Sequence, residues 1–212
     1  MKRKIDEIVS SSSSPMSSVR AYEMVDLIFV QDDSTQTFLT APTFTHQIFS
    51  NENIHFIGDG RGRVKIYTMC SDLAQFVQVD PTIGPPDQKS LLRNLERALP
   101  DDYTLIPKTE TPICTYADKR PPGRLLHSFQ VGNEDFEIYL TSHVDDGSGD
   151  ILRRAEKIAL WFIEAADSID FSDDRWEALF LYRVKRRSHS TNSGRDYFFG
   201  GYFTLFSFRN RK

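Results

Sequence analysis

The segment from Asp150 to Ile169 constrains the fold more than any other part of the sequence. Its apolar residues recur every three or four positions, the spacing that places side chains on one stripe of an α-helix. Asp150 suits the N-cap, because a short carboxylate can accept hydrogen bonds from free backbone N–H groups. The sequence therefore predicts a long amphipathic helix. Its buried stripe consists of Ile151, Ala155, Ile158, Ala159, Phe162, Ala166 and Ile169.

A second helix and several strands are predicted before this segment. Leucines from Leu91 to Leu99 recur at helical spacing after Pro85 and Pro86, and Pro100 ends the pattern. Short apolar or alternating runs, typical of strands, occur at Val25–Val30, Val64–Thr68 and Phe76–Val79.

The second half of the chain is predicted to be rich in strands. Two alternating runs meet at Gly132 and Asn133, which indicates a hairpin. Leu179–Val184 and Tyr197–Phe208 follow, separated by a basic loop, and Gly200 and Gly201 indicate a bulge or a close backbone approach. In the hairpin we expect one face to carry Leu125, His127, Phe129 and Val131 on the first strand, and Phe136, Ile138 and Leu140 on the second.

These patterns predict an α+β fold with two domains. Residues 1–20 hold a serine run and are predicted to be a disordered tail. Pro107–Pro122 has no period and is typical of a connection, so we place the boundary near Pro121, between an N-terminal α/β domain over 21–120 and a second domain over 121–212.

Composition excludes several function classes. The formal net charge of -4 argues against a nucleic-acid-binding surface and suits a basic partner better. No apolar run of membrane-spanning length and no secretory signal are seen, so we expect a protein that works inside the cell. Lys2, Arg3 and Lys4 are either a nuclear import signal or an ordinary charged terminus.

No metal site is predicted. Cys70 and Cys114 are too few for a zinc module, and His46, His55 and His127 do not form a ligand pair at helical spacing. Gly58, Gly60 and Gly62 are interpreted as a turn, because no helix follows them as a phosphate-binding loop requires.

Glu164 is the candidate acid–base residue. On the predicted helix it lies opposite the main stripe, yet Leu160 and Trp161 lie one turn before it. A carboxylate beside these side chains would be partly desolvated, which raises its pKa towards the range useful for accepting a proton. The alternative is an ordinary solvated helix glutamate.

Five stretches, in this order, resemble the type B histone acetyltransferase catalytic subunit. Its members are expected to have a mixed α/β N-terminal histone-binding domain followed by a GNAT-type acetyltransferase domain, of which this chain would carry the first part. They acetylate lysines in the tail of newly made histone four. The stretches are Phe44–Phe49 (FTHQIF), Gly123–Phe129 (GRLLHSF), Trp161–Asp170 (WFIEAADSID), Asp173–Trp176 (DDRW) and Gly201–Thr204 (GYFT).

The resemblance implies particular site residues. Glu164 falls on a family glutamate considered for catalysis, where it would assist deprotonation of the attacking lysine. Two of three acidic family positions near the tail are asparagine here, and a phenylalanine replaces a family tyrosine at Phe206, so tail recognition is expected to differ. The implied histone-binding residues are Asn51, Glu52, Asn53, Trp176, Phe206, Ser207 and Phe208.

The resemblance also implies acetyl-CoA as co-substrate, although the family's glycine-rich segment for it is expected to be absent from this chain. Implied partners are histone four, the histone three/four dimer and a WD40-propeller histone chaperone, with nuclear and cytoplasmic localisation. Two alternatives remain open: a non-catalytic module that binds histone tails, and an unrelated α+β protein with no histone role.

Overall fold

The structure is a computed structural model that describes residues 18–19, 24–31, 37–40, 42–44, 48–49, 54–55, 63–114, 120–145, 147–186 and 194–208. Two helices are α1 (Pro85–Leu95), continued by a 3-10 turn at Glu96–Ala98, and α2 (Ser148–Ala159). The strands are β1 (Ser18–Val19), β2 (Val25–Val30), β3 (Thr37–Thr40), β4 (Ile54–His55), β5 (Val64–Met69), β6 (Gln75–Val79), β7 (Thr104–Leu105), β8 (Arg124–Val131), β9 (Glu134–Thr141), β10 (Trp176–Arg186) and β11 (Arg195–Phe206).

The N-terminal sheet has the strand order β3-β2-β5-β6-β7. At its centre β2 pairs in parallel with β5, from Val25 opposite Val64 to Val30 opposite Met69. Such central strands are apolar on both faces because both faces are covered, which explains why every residue of β2 except Asp26 is apolar. The predicted strands at Val25, Val64 and Phe76 are confirmed.

Helix α1 covers one face of this sheet. It begins at Pro85, where a fixed φ and a missing N–H cost nothing at a helix start, and it ends as predicted before Pro100. Leu91 and Leu95 of α1 are fully buried in a core that also contains Trp161, a residue from beyond the predicted boundary at Pro121. A side chain from the second half of the chain therefore completes the N-terminal core.

The C-terminal sheet is a meander with the strand order β8-β9-β10-β11. The hairpin at Gly132 and Asn133 is confirmed, because β8 pairs antiparallel with β9 across this turn. Strand β11 pairs with β10 and also contacts the N-terminal region, where the Phe199 N–H donates to the Cys70 carbonyl oxygen at 2.6 Å. No helix in the described part of the chain is long and apolar enough to cross a bilayer.

The predicted shared face of Phe136, Ile138 and Leu140 is confirmed, but this more apolar face of the hairpin is not its buried face. In β9 the buried residues are Glu137, Tyr139 and Thr141, whereas Phe136, Ile138 and Leu140 are only half-buried on the other face. Leu125, His127 and Val131 of β8 are exposed, and Phe129 is half-buried. The reason is that α2 packs through Leu152 against the Tyr139 face and leaves β8 at the sheet edge.

Helix α2 is shorter than predicted. It begins after Gly147, which has φ 76° in the left-handed region, so Asp150 lies in the first turn instead of at the N-cap. It ends at Ala159, and Phe162 lies in the turn that follows, whereas Ala166 and Ile169 lie in irregular backbone. Two observations explain the end: Ala165 has φ 54°, which a continuing α-helix cannot contain, and Trp161 is buried in the N-terminal core.

Candidate functional site

The predicted aromatic residues of the histone-binding set lie together at one end of β10 and β11. Trp176 is directly opposite Phe206 in the antiparallel register, and their ring centroids are 4.8 Å apart. Phe208 continues the cluster, with its ring centroid 5.0 Å from that of Phe206 and an edge-on geometry. The Phe208 side chain is 86% exposed, so this aromatic cluster presents a surface to solvent.

Arg175 covers one side of the aromatic cluster. Its guanidinium carbon lies 4.7 Å from the Phe206 ring centroid, a cation–π distance. The guanidinium is paired with the Asp173 carboxylate, which also accepts a hydrogen bond from the Arg175 N–H at 3.0 Å. The Ser207 N–H donates to the Arg175 carbonyl oxygen at 2.9 Å, which places Ser207 beside the cluster. The cluster can therefore hold a cation against an aromatic ring.

The segment leading into Trp176 is strongly acidic. Six carboxylates lie between residues 164 and 177, against one cation in the same stretch, Arg175. Most of these carboxylates are exposed, so their combined negative potential reaches solvent beside the aromatic cluster. Aromatic rings next to a carboxylate-rich loop form a surface suited to a chain rich in lysine and arginine. The six are Glu164, Asp167, Asp170, Asp173, Asp174 and Glu177.

Glu164 is not in the environment predicted for it. Because α2 ends at Ala159, Glu164 lies in the turn that follows the helix, and its side chain is exposed. The predicted desolvation beside Trp161 is therefore wrong, since Trp161 points into the N-terminal core and is 1% exposed. Glu164 is open to a substrate that approaches from solvent.

Two of the resembling stretches contact each other. The Thr43 and Phe44 N–H groups both donate to the Trp161 carbonyl oxygen, at 2.9 and 3.0 Å. Phe49 packs against Trp161 with ring centroids 6.4 Å apart. The start and end of the Phe44–Phe49 stretch are thus attached to the turn that carries Glu164. Residues 45–47, the predicted histone-binding residues Asn51, Glu52 and Asn53, and the glycines Gly58, Gly60 and Gly62 lie outside the described residues.

A groove of about 410 Å³ lies between the N-terminal sheet, α2 and β11. Phe29, Leu73, Phe162 and Phe199 give it mostly apolar walls. Its β11 wall contains the bulge predicted from Gly200 and Gly201, where Leu181 pairs with Gly201 and Tyr182 with Phe199. Among the described residues, no group of three or more His, Cys, Asp or Glu side chains could hold a metal ion.

Three buried carboxylates among the described residues were missed by sequence reasoning: Glu156, Glu137 and Asp196. Glu156 on α2 is 8% exposed, and its Oε1 accepts a hydrogen bond from the Ile169 N–H at 3.0 Å. Burial raises its pKa, while the bonds from Ile169 and Ser168 act in the opposite direction. The available signal was its position one turn after Leu152 and one turn before Leu160, inside a second apolar row.

Glu137 on β9 is the second of these buried carboxylates. It accepts hydrogen bonds from the Tyr139 hydroxyl at 2.7 Å and from Arg195 at 2.8 Å. The pKa of Tyr139 is raised by burial and by its hydrogen bond to Glu137. The sequence signal was weak: Glu137, Tyr139 and Thr141 share one face by strand alternation, but the opposite face of β9 is the more apolar one.

A family model and several known proteins are similar to this chain. A family model described as "Histone acetyl transferase HAT1 N-terminus" matches residues 17–164. The histone acetyltransferase type B catalytic subunit of Pyricularia oryzae is 29% identical over 93% of this chain and 45% of its own length. Those of Aspergillus oryzae and Rattus norvegicus are 25% and 24% identical, over 78% and 76% of this chain and 34% and 41% of their own lengths.

The chain spans less than half the length of these curated relatives. Its family model includes the Phe44–Phe49 stretch, α2, Trp161 and Glu164, the same elements that join the N-terminal sheet to the acidic segment. The predicted resemblance is confirmed: this chain belongs to the histone acetyltransferase HAT1 N-terminus family.

Proposed function

We propose that this chain is the histone-facing part of a type B histone acetyltransferase catalytic subunit, and that it binds the basic tail of histone four. The observation that carries the proposal is the solvent-facing aromatic cluster of Trp176, Phe206 and Phe208 beside six carboxylates. Lysine and arginine side chains gain from both features, because an aromatic face attracts a cation and nearby carboxylates lower its energy further.

The proposed path of the tail runs from the Trp176 cluster towards Glu164. The acidic segment between them supplies charge along the way. Asn51, Glu52 and Asn53 hold one carboxylate, so they attract a basic tail less than three carboxylates would. The aromatic cluster and the acidic segment then provide the main recognition.

Glu164 is proposed to take part in acetyl transfer to a tail lysine. A lysine with a pKa near about 10.4 is protonated at neutral pH, and only its free amine can attack a thioester. An exposed carboxylate at the end of the tail path can hold the ammonium group and accept its proton, directly or through water. The co-substrate of such a family is acetyl-CoA, and the second sheet would be the start of its GNAT-type domain.

The described residues do not fit the pyrophosphate of acetyl-CoA. Helix α1 starts with Pro85 and Pro86, which have no N–H groups to donate. Helix α2 starts with Ser148, whose N–H already donates to the Asp145 carbonyl oxygen, and it carries Asp150 in its first turn. Neither helix start forms an anion cradle, so no described residue is assigned to the co-substrate. This observation favours the second candidate, a module that binds histone tails without transferring acetyl groups.

Peptide binding tests the proposed function. We expect a fluorescent histone-four tail peptide to bind the purified chain, more weakly at high salt, and to bind far better than a control peptide with its lysines and arginines replaced by glutamine. Trp176→Ala should reduce this binding. Equal affinity for the two peptides would contradict the proposal. Transfer of labelled acetyl from acetyl-CoA to the bound peptide would then distinguish the enzyme from the binding module.

The remaining expectations are also proposals. The relatives' names imply histone substrates, and the histone three/four dimer and a WD40-propeller chaperone are the partners that the resemblance suggests. Localisation in nucleus and cytoplasm follows from the same resemblance. Co-purification of these partners with the tagged chain from cells would test them, with Trp176→Ala as a variant that should lose histone four selectively.

A further inference from the structure

Glu156 is a buried carboxylate to which the proposed function gives no role. Its side chain is 8% exposed, on the face of α2 that carries Leu152 one turn earlier. A charged side chain is rarely so buried unless it is held by hydrogen bonds. Here the donors are the Ile169 N–H at 3.0 Å and the Ser168 side chain. Both donors belong to the acidic segment, 12 to 13 residues further along the chain.

From Ile169 a continuous series of backbone turns leads to the aromatic cluster. The Phe171 N–H donates to the Ile169 carbonyl oxygen at 3.0 Å, and the Asp173 N–H donates to that of Asp170 at 3.1 Å. The Trp176 N–H then donates to the Asp173 carbonyl oxygen at 3.0 Å. These bonds shape the turns between Ile169 and Trp176, and the pairing of Trp176 with Phe206 fixes the far end of the segment in the sheet. The position of Ile169 therefore bears on where Asp173 lies relative to Trp176.

Apolar contacts attach the same segment to the C-terminal sheet. Ile169 and Phe171 pack on the buried cluster of Tyr139, Leu152 and Phe180. The neighbouring charged side chains on α2 have other partners. Lys157 donates to the Arg97 carbonyl oxygen, and Arg154 pairs with Asp102, so neither takes the place of the bond between Glu156 and Ile169. Glu156 is therefore the polar attachment between α2 and the start of the acidic segment.

We propose that Glu156 is a positioning residue for the basic peptide: by accepting the Ile169 N–H, it holds the acidic segment so that Asp173 and Trp176 face the same ligand. This inference rests on the proposed function for the identity of the ligand. The attachment of Ile169 to Glu156 does not depend on the proposed function, and it can be measured without any peptide.

Three variants separate positioning from stability. Glu156→Met fills the same space but cannot accept the Ile169 N–H. It removes a buried charge and also leaves that N–H without its acceptor, so any loss of global stability is measured by urea unfolding beside the other two variants. Glu156→Gln keeps a carbonyl acceptor for Ile169. Leu152→Met is the matched control, a volume-conserving change one turn earlier on α2 that leaves Glu156 intact.

Hydrogen exchange and peptide affinity are then measured on the full chain. In Glu156→Met we expect faster exchange of amides 168–176 and about tenfold weaker binding of the histone-four tail peptide, a change of about 1.4 kcal/mol. Glu156→Gln and Leu152→Met should keep both properties near those of the unchanged chain.

Two outcomes would overturn the inference. One is unchanged exchange and affinity in Glu156→Met; the other is an equal loss in Glu156→Gln, which would mean that the hydrogen bond to Ile169 is not the cause. A chain that binds no peptide would instead contradict the proposed function, while the exchange of amides 168–176 would still test the attachment.

Discussion

The N-terminal sheet is covered on both faces, whereas the C-terminal sheet is covered by α2 on one face and leaves large apolar side chains exposed on the other. The covered N-terminal core is mostly aliphatic and aromatic, and the polar residues buried in this sheet, Thr68, Gln75 and Gln78, carry no charge. The covered face of the C-terminal sheet instead includes the buried pair of Glu137 and Tyr139, and its other face exposes Phe203 and Leu205.

The two sheets therefore differ in what they contribute to stability and to binding. Apolar burial on both faces gives the N-terminal region a core whose contribution to stability hardly depends on pH or salt, so the pH dependence of this region comes from ion pairs outside the core, such as Asp80 with Lys108. Buried charges and an open aromatic surface make the stability of the C-terminal region more sensitive to pH and salt. The same features can bind a basic ligand. Four predictions test the comparison, beginning with the largest expected effect.

Trp161→Ala should be the most damaging of these substitutions. Trp161 is fully buried in the N-terminal core although it follows α2, and removing a buried tryptophan costs about 3–5 kcal/mol. Urea unfolding followed by circular dichroism measures the loss. Trp176→Ala is the matched control, because half-buried Trp176 lies on the C-terminal sheet, and it should cost much less. Similar losses for both tryptophans would contradict the division between the two regions.

Tyr139→Phe should destabilise the C-terminal sheet by about 1–3 kcal/mol, because it removes a hydrogen bond from the buried Glu137 carboxylate. Tyr182→Phe is the control on the neighbouring strand β10. The Tyr182 hydroxyl is buried without a hydrogen-bond partner among the described residues, so its removal should be neutral or stabilising. Thermal unfolding of both variants gives the comparison. A greater loss for Tyr182→Phe would show that the buried polar network is not what stabilises this sheet.

Phe206→Ala should weaken binding of the histone-four tail peptide by about tenfold, since an aromatic contact to a cation contributes about 0.5–2 kcal/mol. Phe203→Ala, three residues earlier on β11 and 61% exposed, is the control and should leave affinity unchanged. Fluorescence anisotropy of a labelled peptide measures both. If the two variants lost affinity equally, the open apolar face, not the aromatic cluster, would be the binding surface.

The smallest effect expected is an opposite pH dependence of stability in the two regions. Hydrogen bonds from Lys108 and Thr82 lower the pKa of Asp80 from 3.8 to about 2. Its stabilising contribution is therefore present above pH 3.8 and is lost as the pH falls towards 2.

Burial raises the pKa of Glu156 above 4.5, so the folded state binds a proton that the unfolded state has released. Glu156 therefore adds stability at low pH that is lost as the pH rises through its folded-state pKa. The free energy of unfolding is measured by urea titration at a series of pH values. Asp80→Asn should flatten its pH dependence below pH 3.8, and Glu156→Gln should flatten it above pH 4.5. Identical curves for the two variants would contradict the assignment.

Local patterns predicted the strands and the hairpin, and long-range contacts decided what the patterns missed. The turn at Gly132 and Asn133 and the strand at Val64 depend on neighbouring residues, and both are confirmed. The end of α2 depends on the N-terminal core that buries Trp161, which no periodicity within 150–169 can reveal. For the same reason, Glu164 was expected on a helix and is found in an exposed turn.

The aromatic cluster came from resemblance alone. Trp176 and Phe206 are 30 residues apart, and their contact requires the full register of β10 with β11, including the bulge near Gly200. Glu156 could have been noticed as a charge within an apolar row, but its partner Ile169 could not, because the predicted helix placed both residues on one continuous element. The predicted boundary near Pro121 stays a prediction.

The position of Trp161 has a practical consequence for dividing this protein. A polypeptide that ended near Pro121 would keep α1 and all five strands of the N-terminal sheet, yet it would lack the ring that fills their core. It would also lack Leu160 and Phe162, which pack on the same core, so apolar side chains that the whole chain covers would face solvent. Such an exposed patch promotes association, so that polypeptide should self-associate at concentrations at which the whole chain does not.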